Sequence, residues 1–352
     1  MGRRPLAEAS APTVWAFPRA GFYGDCLYAP LEAMGVRVLE GDYSAAGLAA
    51  IAPGDAVHLH WPSHLYSVGP SKLDYARHFM SFEWRLWRLH ARGVRIFWTA
   101  HNLYPHERTP LPGVDRRVRE LVIGLAERIF VHGPSAEAVL CTEFPKTRGK
   151  CVQIPLGGFA DYYPNDMSRA EARARLGLAE GEFAYLFLGQ WRPYKNLPLL
   201  IESFARLEQP ATLLLAGNAP ARLGEEVREL VARLGRGRIR AVPGRVPDDE
   251  LQMWCKAADA MVLPYREILS SGAAVLALSF GCPVVAPRVG HLRDLIDPSN
   301  GVAYEPAAVD ALLEAMRAVR KQDYDRARIA CVMNSVRWNE SARATLAAMT
   351  MR

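Results

Sequence analysis

A strand-like run ending Phe187-Leu188-Gly189 passes into Gln190-Trp191-Arg192-Pro193-Tyr194-Lys195-Asn196. Arg192 and Lys195 stand in this short loop, ahead of an amphipathic stretch, Leu199-Leu200-Ile201-Glu202-Ser203-Phe204. Two cations at the carboxyl end of a strand are placed to neutralise a diphosphate, and an arginine can grip one bidentately. A solvated basic turn is the competing reading. A second stretch is Pro264-Tyr265-Arg266-Glu267-Ile268-Leu269-Ser270-Ser271-Gly272-Ala273-Ala274, followed by Phe280-Gly281-Cys282-Pro283-Val284-Val285-Ala286. Ser270 or Ser271 reads as a helix cap. Gly272 lets a ligand approach the backbone, and the free N–H groups of a helix start receive a phosphate well. Here the competing reading is a capped structural helix.

A third constellation is Thr99-Ala100-His101-Asn102-Leu103-Tyr104-Pro105-His106-Glu107, directly after a strong strand. Two imidazoles and a carboxylate suit proton removal from a hydroxyl, with Glu107, His106 and His101 as candidates in that order. The alternatives are binding of sugar hydroxyls and a structural loop. The spacing is not the zinc-binding His-Glu-x-x-His, and a proline interrupts any helix, so no metal is expected. Val57-His58-Leu59-His60-Trp61-Pro62-Ser63-His64 and Arg19-Ala20-Gly21-Phe22-Tyr23-Gly24-Asp25 also follow strands. Their aromatic faces fit sugar rings.

The elements that must position these loops are short apolar strands alternating with helical patterns. Strands are expected at 13–17, 36–39, 56–60, 95–100, 128–132 and 151–155, then at 184–188, 211–216, 239–242, 260–263 and 283–286. Val-Arg-Ile-Phe-Trp-Thr-Ala and Ala-Tyr-Leu-Phe-Leu-Gly are nearly continuous apolar runs, as strands covered on both faces should be. The alternation predicts an α/β chain of two Rossmann-like doubly wound domains facing a cleft. Gly157-Gly158, Pro164, Asn165 and Gly181 mark the break. The expected domains are 1–160 and 161–335, followed by 336–352. The family resemblance given below implies that the first binds the acceptor and the second the donor, and that the last segment crosses back to the first. Residues 325–349 read as one terminal helix anchored by Trp338.

The chain has 352 residues, half of them apolar (50%), with a net charge of +6. No stretch approaches the apolar length of a membrane span, and the N-terminus lacks a signal core. The six cysteines include no Cys-x-x-Cys pair, so a reduced cytoplasmic setting without bound zinc is expected. A helix over 71–92 carries Arg77, Arg85, Arg88 and Arg92 near one face and Tyr75, Phe79, Phe82, Leu86 and Leu89 on another. With Trp84 and Trp87 it could dock at the inner face of an anionic membrane, or be a core helix with a basic solvated face. No Gly-x-Gly-x-x-Gly follows the first strand and no Gly-Lys-Ser/Thr occurs, which excludes a dehydrogenase fingerprint and a P-loop. Nucleic acid is not an expected partner, since charge alone speaks for it.

These motifs, with Leu215-Ala216-Gly217-Asn218 and Ala258-Asp259-Ala260-Met261-Val262-Leu263-Pro264 between them, resemble the donor half of B-fold glycosyltransferases of the family 4 type over residues 154–286. The resemblance implies transfer of a hexose from a nucleotide-diphosphate sugar, without a separate cofactor. Gly189 and Lys195 look like the family's Gly…Lys phosphate loop, and Arg192 takes the place of the arginine that Gln190 replaces. The stretch Gly244-Arg245-Val246-Pro247-Asp248-Asp249-Glu250-Leu251 resembles its base-contacting loop. The donor set is thus Gly189, Arg192, Lys195, Gly217, Arg245, Glu267, Ser270, Ser271 and Gly272.

One departure stands out. The family's two glutamates fall at Ile268 and Leu276, with Glu267 one residue off the first. The Ser-Ser-Gly-Ala form resembles divergent bacterial exopolysaccharide enzymes, including the β-mannosyltransferase type of xanthan assembly. That implies a saccharide or lipid-linked acceptor, favours GDP-mannose over a UDP-sugar, and favours inversion over retention. A non-catalytic sugar- or nucleotide-binding protein of the same fold is the alternative.

Overall fold

Strands buried on both faces need apolar residues at every position, and the longest apolar runs here form the sheet centres. The computed structural model describes residues 13–69, 71–105, 109–111, 113–208, 210–307 and 310–351. The first sheet contains β1 (Val14–Phe17), β2 (Val38–Glu40), β3 (Ala56–Leu59), β4 (Arg95–Thr99), β5 (Arg128–Val131) and β6 (Cys151–Gln153), in the order β2-β1-β3-β4-β5-β6. The second contains β7 (Phe183–Leu188), β8 (Ala211–Gly217), β9 (Ile239–Pro243), β10 (Ala260–Val262), β11 (Val284–Pro287) and β12 (Gly301–Tyr304), in the order β12-β11-β10-β7-β8-β9. Every strand pair is parallel. The chain is an α/β protein with two Rossmann-like doubly wound sheets. All seven residues of β8 are buried.

Strand order reverses between β1 and β3 in the first sheet, and between β7 and β10 in the second. Ligands of such sheets bind beyond the carboxyl ends of the strands at that reversal. The loops singled out by their chemistry leave these ends: Gly189–Lys195 from β7, Pro264–Gly272 from β10, and His60-Trp61 from β3.

The chain divides into two compact units. Unit 1 holds 1–131, 140–154 and 338–352, and unit 2 holds 132–139 and 155–337. The terminal segment forms two helices, Arg326–Ser335 and Trp338–Thr350, where a single helix over 325–349 was expected. The interruption has local causes. Val336 is extended (φ −74°, ψ 102°), and its carbonyl accepts the Gly158 N–H at 3.1 Å. Asn334 Nδ2 donates to the Ser279 carbonyl at 2.9 Å, which ties the first helix to Gly272–Ser279. Unit 1 takes the second helix. Its Ser341, Ala342, Thr345, Ala348 and Met349 are buried, and it packs on the helix Phe22–Ala33.

β12 was not anticipated. Its four residues, Gly-Val-Ala-Tyr, give too short an apolar signal, yet they pair with β11 from Val284↔Gly301 to Pro287↔Tyr304. Gly301 is required by closeness, since a Cβ there would lie 2.0 Å from the Val284 carbonyl oxygen.

The helix expected over 71–92 runs Lys72–Ala91 and opens with a Ser71/Asp74 capping box. Phe79, Phe82, Leu86 and Leu89 are its buried face. Its arginines do not act as one basic face. Arg85 donates to the Tyr43 carbonyl, and Arg92 to the Leu48 carbonyl at 2.9 Å, whereas Arg77 and Arg88 stay exposed. The outward stripe is apolar: Leu73 (58% exposed), Met80 (58%), Trp84 (58%) and Trp87 (55%). These positions recur at helical spacing. Among the described residues, no helix is long and apolar enough to cross a membrane.

Because the terminal helix completes the core of unit 1, a chain ending at residue 337 should melt lower by roughly 10 °C or more. An unchanged thermal unfolding profile would contradict this packing.

Candidate active site

In unit 2 the strand ends at the reversal are glycines for a steric reason. Gly217, at the end of β8, has φ +138°, and a Cβ on it would sit 1.9 Å from the Gly189 carbonyl oxygen. Gly189, just past β7, has φ +134°, and a Cβ there would lie 3.0 Å from Lys195 Nζ. Both take the left-handed region that disfavours side chains. Gly244 donates its N–H to the Gly217 carbonyl at 2.9 Å, so the loop after β9 joins the same strand ends.

Lys195 closes the short helical turn Pro193–Lys195, where its N–H donates to the Arg192 carbonyl at 3.0 Å. Asn196 then turns left-handed (φ 54°) and starts the helix Leu197–Ala205. Trp191, 1% exposed, locks the loop by donating its N–H to the Asn218 carbonyl at 2.8 Å. The Lys195 side chain is only 9% exposed. Its Nζ lies 5.7 Å from the Phe187 ring centre and 5.4 Å from that of Tyr265. No carboxylate of the described residues pairs with it. Burial, with the Arg192 charge in second place, pushes its pKa down to about 8. Arg192 Nη2 donates to Gln190 Oε1 at 3.1 Å on the exposed side of the loop.

The loop after β10 supplies the opposite wall. Tyr265 is buried, and its phenol pKa is raised by desolvation. Ser271, of the two candidate serines, caps the helix Gly272–Ser279 by accepting the Ala274 N–H at 3.3 Å. Gly272 is exposed, and the nearest atom to a Cβ on it would be a ring carbon of Phe159 at 4.0 Å. Helix geometry leaves the first N–H groups of this helix without internal acceptors. Gly290 supports the loop from behind, where a Cβ would lie 2.1 Å from the Ile268 carbonyl oxygen.

The structure therefore brings Gly189, Lys195, Gly217 and the Ser271-Gly272 helix start to one strand reversal, with Arg192 on the loop beside them. Arg245 and Glu267 are placed differently. Arg245 is exposed and pairs with Asp248 at 3.5 Å. Glu267 is exposed, and its charge adds to the burial that raises the Tyr194 phenol pKa. Leu276 is buried within its helix. Sequence reasoning missed Phe187 and Tyr265 as ring neighbours of Lys195, because neither ring was linked to the lysine by spacing.

In unit 1, His101 follows β4 and is 7% exposed. Its ring stacks on Trp61 (4.3 Å between centres, 15° between planes) and meets the Tyr23 ring edge-on at 4.5 Å. His106 and Glu107 lie outside the described residues. Both flanks of their loop are anchored. Arg119 Nε donates to the Leu103 carbonyl at 2.8 Å, and the Thr109 N–H donates to Asp115 Oδ2 at 3.1 Å. His58 and His60, expected in a recognition loop, are instead buried (0% and 2% exposed), whereas His64 is exposed. Burial pushes the His58 pKa down to about 3, so its ring is neutral.

Comparison with known proteins bears on the fold and on the class of protein. Residues 182–322 match the family model described as glycosyl transferases group 1. The chain is 27% identical over 272 residues to GDP-mannose:glycolipid 4-beta-D-mannosyltransferase of Xanthomonas campestris pv. campestris, covering 74% of this chain and 70% of that protein. It is 30% identical over 250 residues to D-inositol 3-phosphate glycosyltransferase of Geodermatophilus obscurus, covering 65% of this chain and 55% of that one. Among solved structures, sucrose-phosphate synthase from Thermosynechococcus elongatus superposes with a TM-score of 0.63 at 22% identity, covering 92% of this chain and 73% of that one. WaaG, a glycosyltransferase involved in lipopolysaccharide biosynthesis, gives 0.59 at 16% identity, covering 96% and 95%. The fold is the B-type glycosyltransferase fold. The chain is a glycosyltransferase, and the stretch that matches the glycosyl transferases group 1 model lies within unit 2.

The depressed Lys195 pKa has a testable sign. The unfolded chain holds that proton more tightly than the folded one, so folding carries a penalty at pH values below about 8. The penalty is relieved as pH rises toward the ordinary lysine value, and is on the order of 3 kcal/mol where full. Lys195→Met should therefore raise the melting temperature at pH 7 while weakening nucleoside-diphosphate binding about ten- to a hundredfold. Calorimetric titration beside a thermal melt reads both, and a destabilised variant that binds normally would overturn the assignment. Arg192→Ala should weaken binding about tenfold without the gain in stability.

Proposed function

We propose that this glycosyltransferase moves a hexose from a nucleotide-diphosphate sugar, GDP-mannose ahead of a UDP-sugar, to a lipid-linked saccharide. The observation that carries the reading is Lys195, an ammonium buried at the β7/β10 reversal with no carboxylate partner among the described residues. A diphosphate supplies the countercharge that the protein withholds. Arg192 and the N–H groups opening Gly272–Ser279 add donors to the same leaving group. These groups carry the leaving charge without a bound metal, so transfer should survive chelation by EDTA. The Xanthomonas relative is named for GDP-mannose and a glycolipid acceptor, which supports that donor and that acceptor class.

The reaction is a single displacement with inversion. The acceptor hydroxyl attacks the anomeric carbon, the bond to the diphosphate breaks, and the proton passes to a base on the loop 101–107, Glu107 before His106 and His101. The acceptor's lipid explains the exposed stripe of Leu73, Met80, Trp84 and Trp87 with Arg77 and Arg88 beside it. Tryptophans settle at the interface while arginines meet anionic headgroups.

Three measurements test the reading. In a thermal-shift screen of GDP, UDP, ADP and dTDP, GDP should raise the melting temperature most, since a ligand that binds only the folded state stabilises it. A larger shift with UDP would replace the donor. NMR of the product should show a β-linkage from an α-donor, and an α-linked product would sink inversion. Replacing Trp84 and Trp87 by serine should lower sedimentation with phosphatidylglycerol vesicles about tenfold and leave nucleotide binding intact. Undiminished sedimentation would remove the membrane role.

A further inference from the structure

Cys141 and Cys151 stand ten residues apart in the chain, and the fold brings their side chains together. Cys141 lies in the last turn of the helix Pro134–Glu143, and Cys151 opens the edge strand β6. Between them the turn Pro145–Thr147 folds the chain back, with the Lys150 N–H donating to the Thr147 carbonyl at 2.9 Å. Thr147 then sits between the two thiols. Its hydroxyl lies 3.3 Å from Cys141 Sγ, and its carbonyl oxygen lies 3.5 Å from Cys151 Sγ. The two sulfurs are within 4.8 Å of each other. Neither is in a disulfide, and both side chains are half-buried.

The other four cysteines are placed differently. Cys255 and Cys282 are fully buried, and burial raises both thiols above their ordinary pKa. Burial pushes the Cys26 thiol up to about 12, with the Asp25 charge adding to the effect. Cys331 is exposed on the helix Arg326–Ser335. Cys141 and Cys151 combine closeness with access to solvent. Their segment is also net basic. Over residues 134–151 the cations Lys146, Arg148 and Lys150 outnumber the carboxylates of Glu137 and Glu143. Lys146 and Arg148 are exposed, whereas Glu143 is engaged by Arg116 at 2.8 Å. Such a segment draws in a small anionic reagent.

We propose that Cys141 and Cys151 are a reversible modification site, a dithiol that an anionic low-molecular-weight disulfide such as oxidised glutathione closes into an intramolecular disulfide. One protein thiolate attacks the S–S bond of the oxidant, forms a mixed disulfide and releases one glutathione thiolate. The second protein thiolate attacks the mixed disulfide and releases the other. Two protein thiols are oxidised, and one glutathione disulfide is reduced to two thiols. The two protons lost by the protein are taken up by the leaving thiolates. A rotamer change at one or both cysteines brings the sulfurs to bonding distance. The bond fastens β6, which pairs with β5 from Ile129↔Cys151 to Val131↔Gln153, to the last turn of the helix. It also constrains the unfolded chain, so unit 1 gains stability. The site is independent of the transfer reaction proposed above.

Peptide mapping tests this. The full-length protein, reduced and then freed of reductant, is incubated with oxidised glutathione, and the remaining thiols are blocked with N-ethylmaleimide. Lys146, Arg148 and Lys150 lie between the two cysteines, so trypsin separates their peptides unless a disulfide joins them. Mass spectrometry should find Cys141 joined to Cys151, with glutathione on neither, and dithiothreitol should restore both thiols. In Cys141→Ser or Cys151→Ser the remaining cysteine should stop at the mixed disulfide and keep its glutathione. The oxidised protein should melt about 5 °C above the reduced one. Glutathione retained on either cysteine of the unsubstituted protein overturns the proposal. So does a bond from either one to another cysteine, or survival of both thiols in excess oxidant. These three readings need no variant to fold. A joined pair with an unchanged melt keeps the site and overturns only the gain in stability.

Discussion

An ammonium group held out of water is the constraint around which unit 2 is organised. Lys195 has lost its hydration, and the Phe187 and Tyr265 rings return only part of that energy. The protein could have relieved the strain with a carboxylate, as it does elsewhere. Asp259 takes two arginines, Arg169 at 2.6 Å and Arg173 at 3.2 Å, at the far end of the same sheet. That Lys195 has no carboxylate among the described residues is therefore a local feature and not a property of the whole unit. The strand ends are shaped to permit it. Gly189 leaves room for Nζ, Gly217 lets two strand ends touch, and the covering aromatic rings exclude water.

Unit 1 solves the opposite problem. The polar groups buried near the ends of its β3 and β4 are tolerated because they find hydrogen-bond partners. His58, fully buried, is neutral, and it bonds through both ring nitrogens. A charged group in that position would need a counterion, whereas a neutral ring needs only complementary donors and acceptors. The two units thus place different chemistry at equivalent places in similar sheets. One holds a buried cation; the other holds buried imidazoles in hydrogen bonds, with His58 neutral.

Much of this was legible in the sequence. Strands such as Arg95–Thr99 and Phe183–Leu188 announced themselves because a strand covered on both faces must be apolar throughout. The loop Gly189–Lys195 was legible as a candidate because glycine and the cations lie within a few residues of each other. Three features were hidden, for physical reasons. β12 is four residues long and exists through its pairing with β11, not through its own pattern. The break at Val336 depends on a hydrogen bond to Gly158, far away in the chain. The hydrogen bonds among Thr99, His58, Tyr28, His60 and His101 join residues from three segments, and only the sheet order β1-β3-β4 makes them neighbours. Its histidines were visible as residues; their burial was not.

Leu276 bears on how a donor is divided between its two ends. The helix Gly272–Ser279 is buried from Ala274 through Ser279, so it is apolar nearly all round. An acidic side chain at position 276 would sit in that setting and would need a ligand hydroxyl to justify its desolvation. With leucine there, the helix packs without one, and the ribose contact is absent from this position. Binding energy must then come from the ends of the donor. At the proposed diphosphate end, a buried lysine, an arginine and a helix start stand on neighbouring strand ends. At the base end stands the loop after β9, joined to the phosphate site through Gly244 and Gly217 but exposed along Arg245 and Asp248. If the proposed donor site is the right one, a nucleoside diphosphate is gripped there through its shared charge, and the choice of base falls to the weaker, exposed contacts.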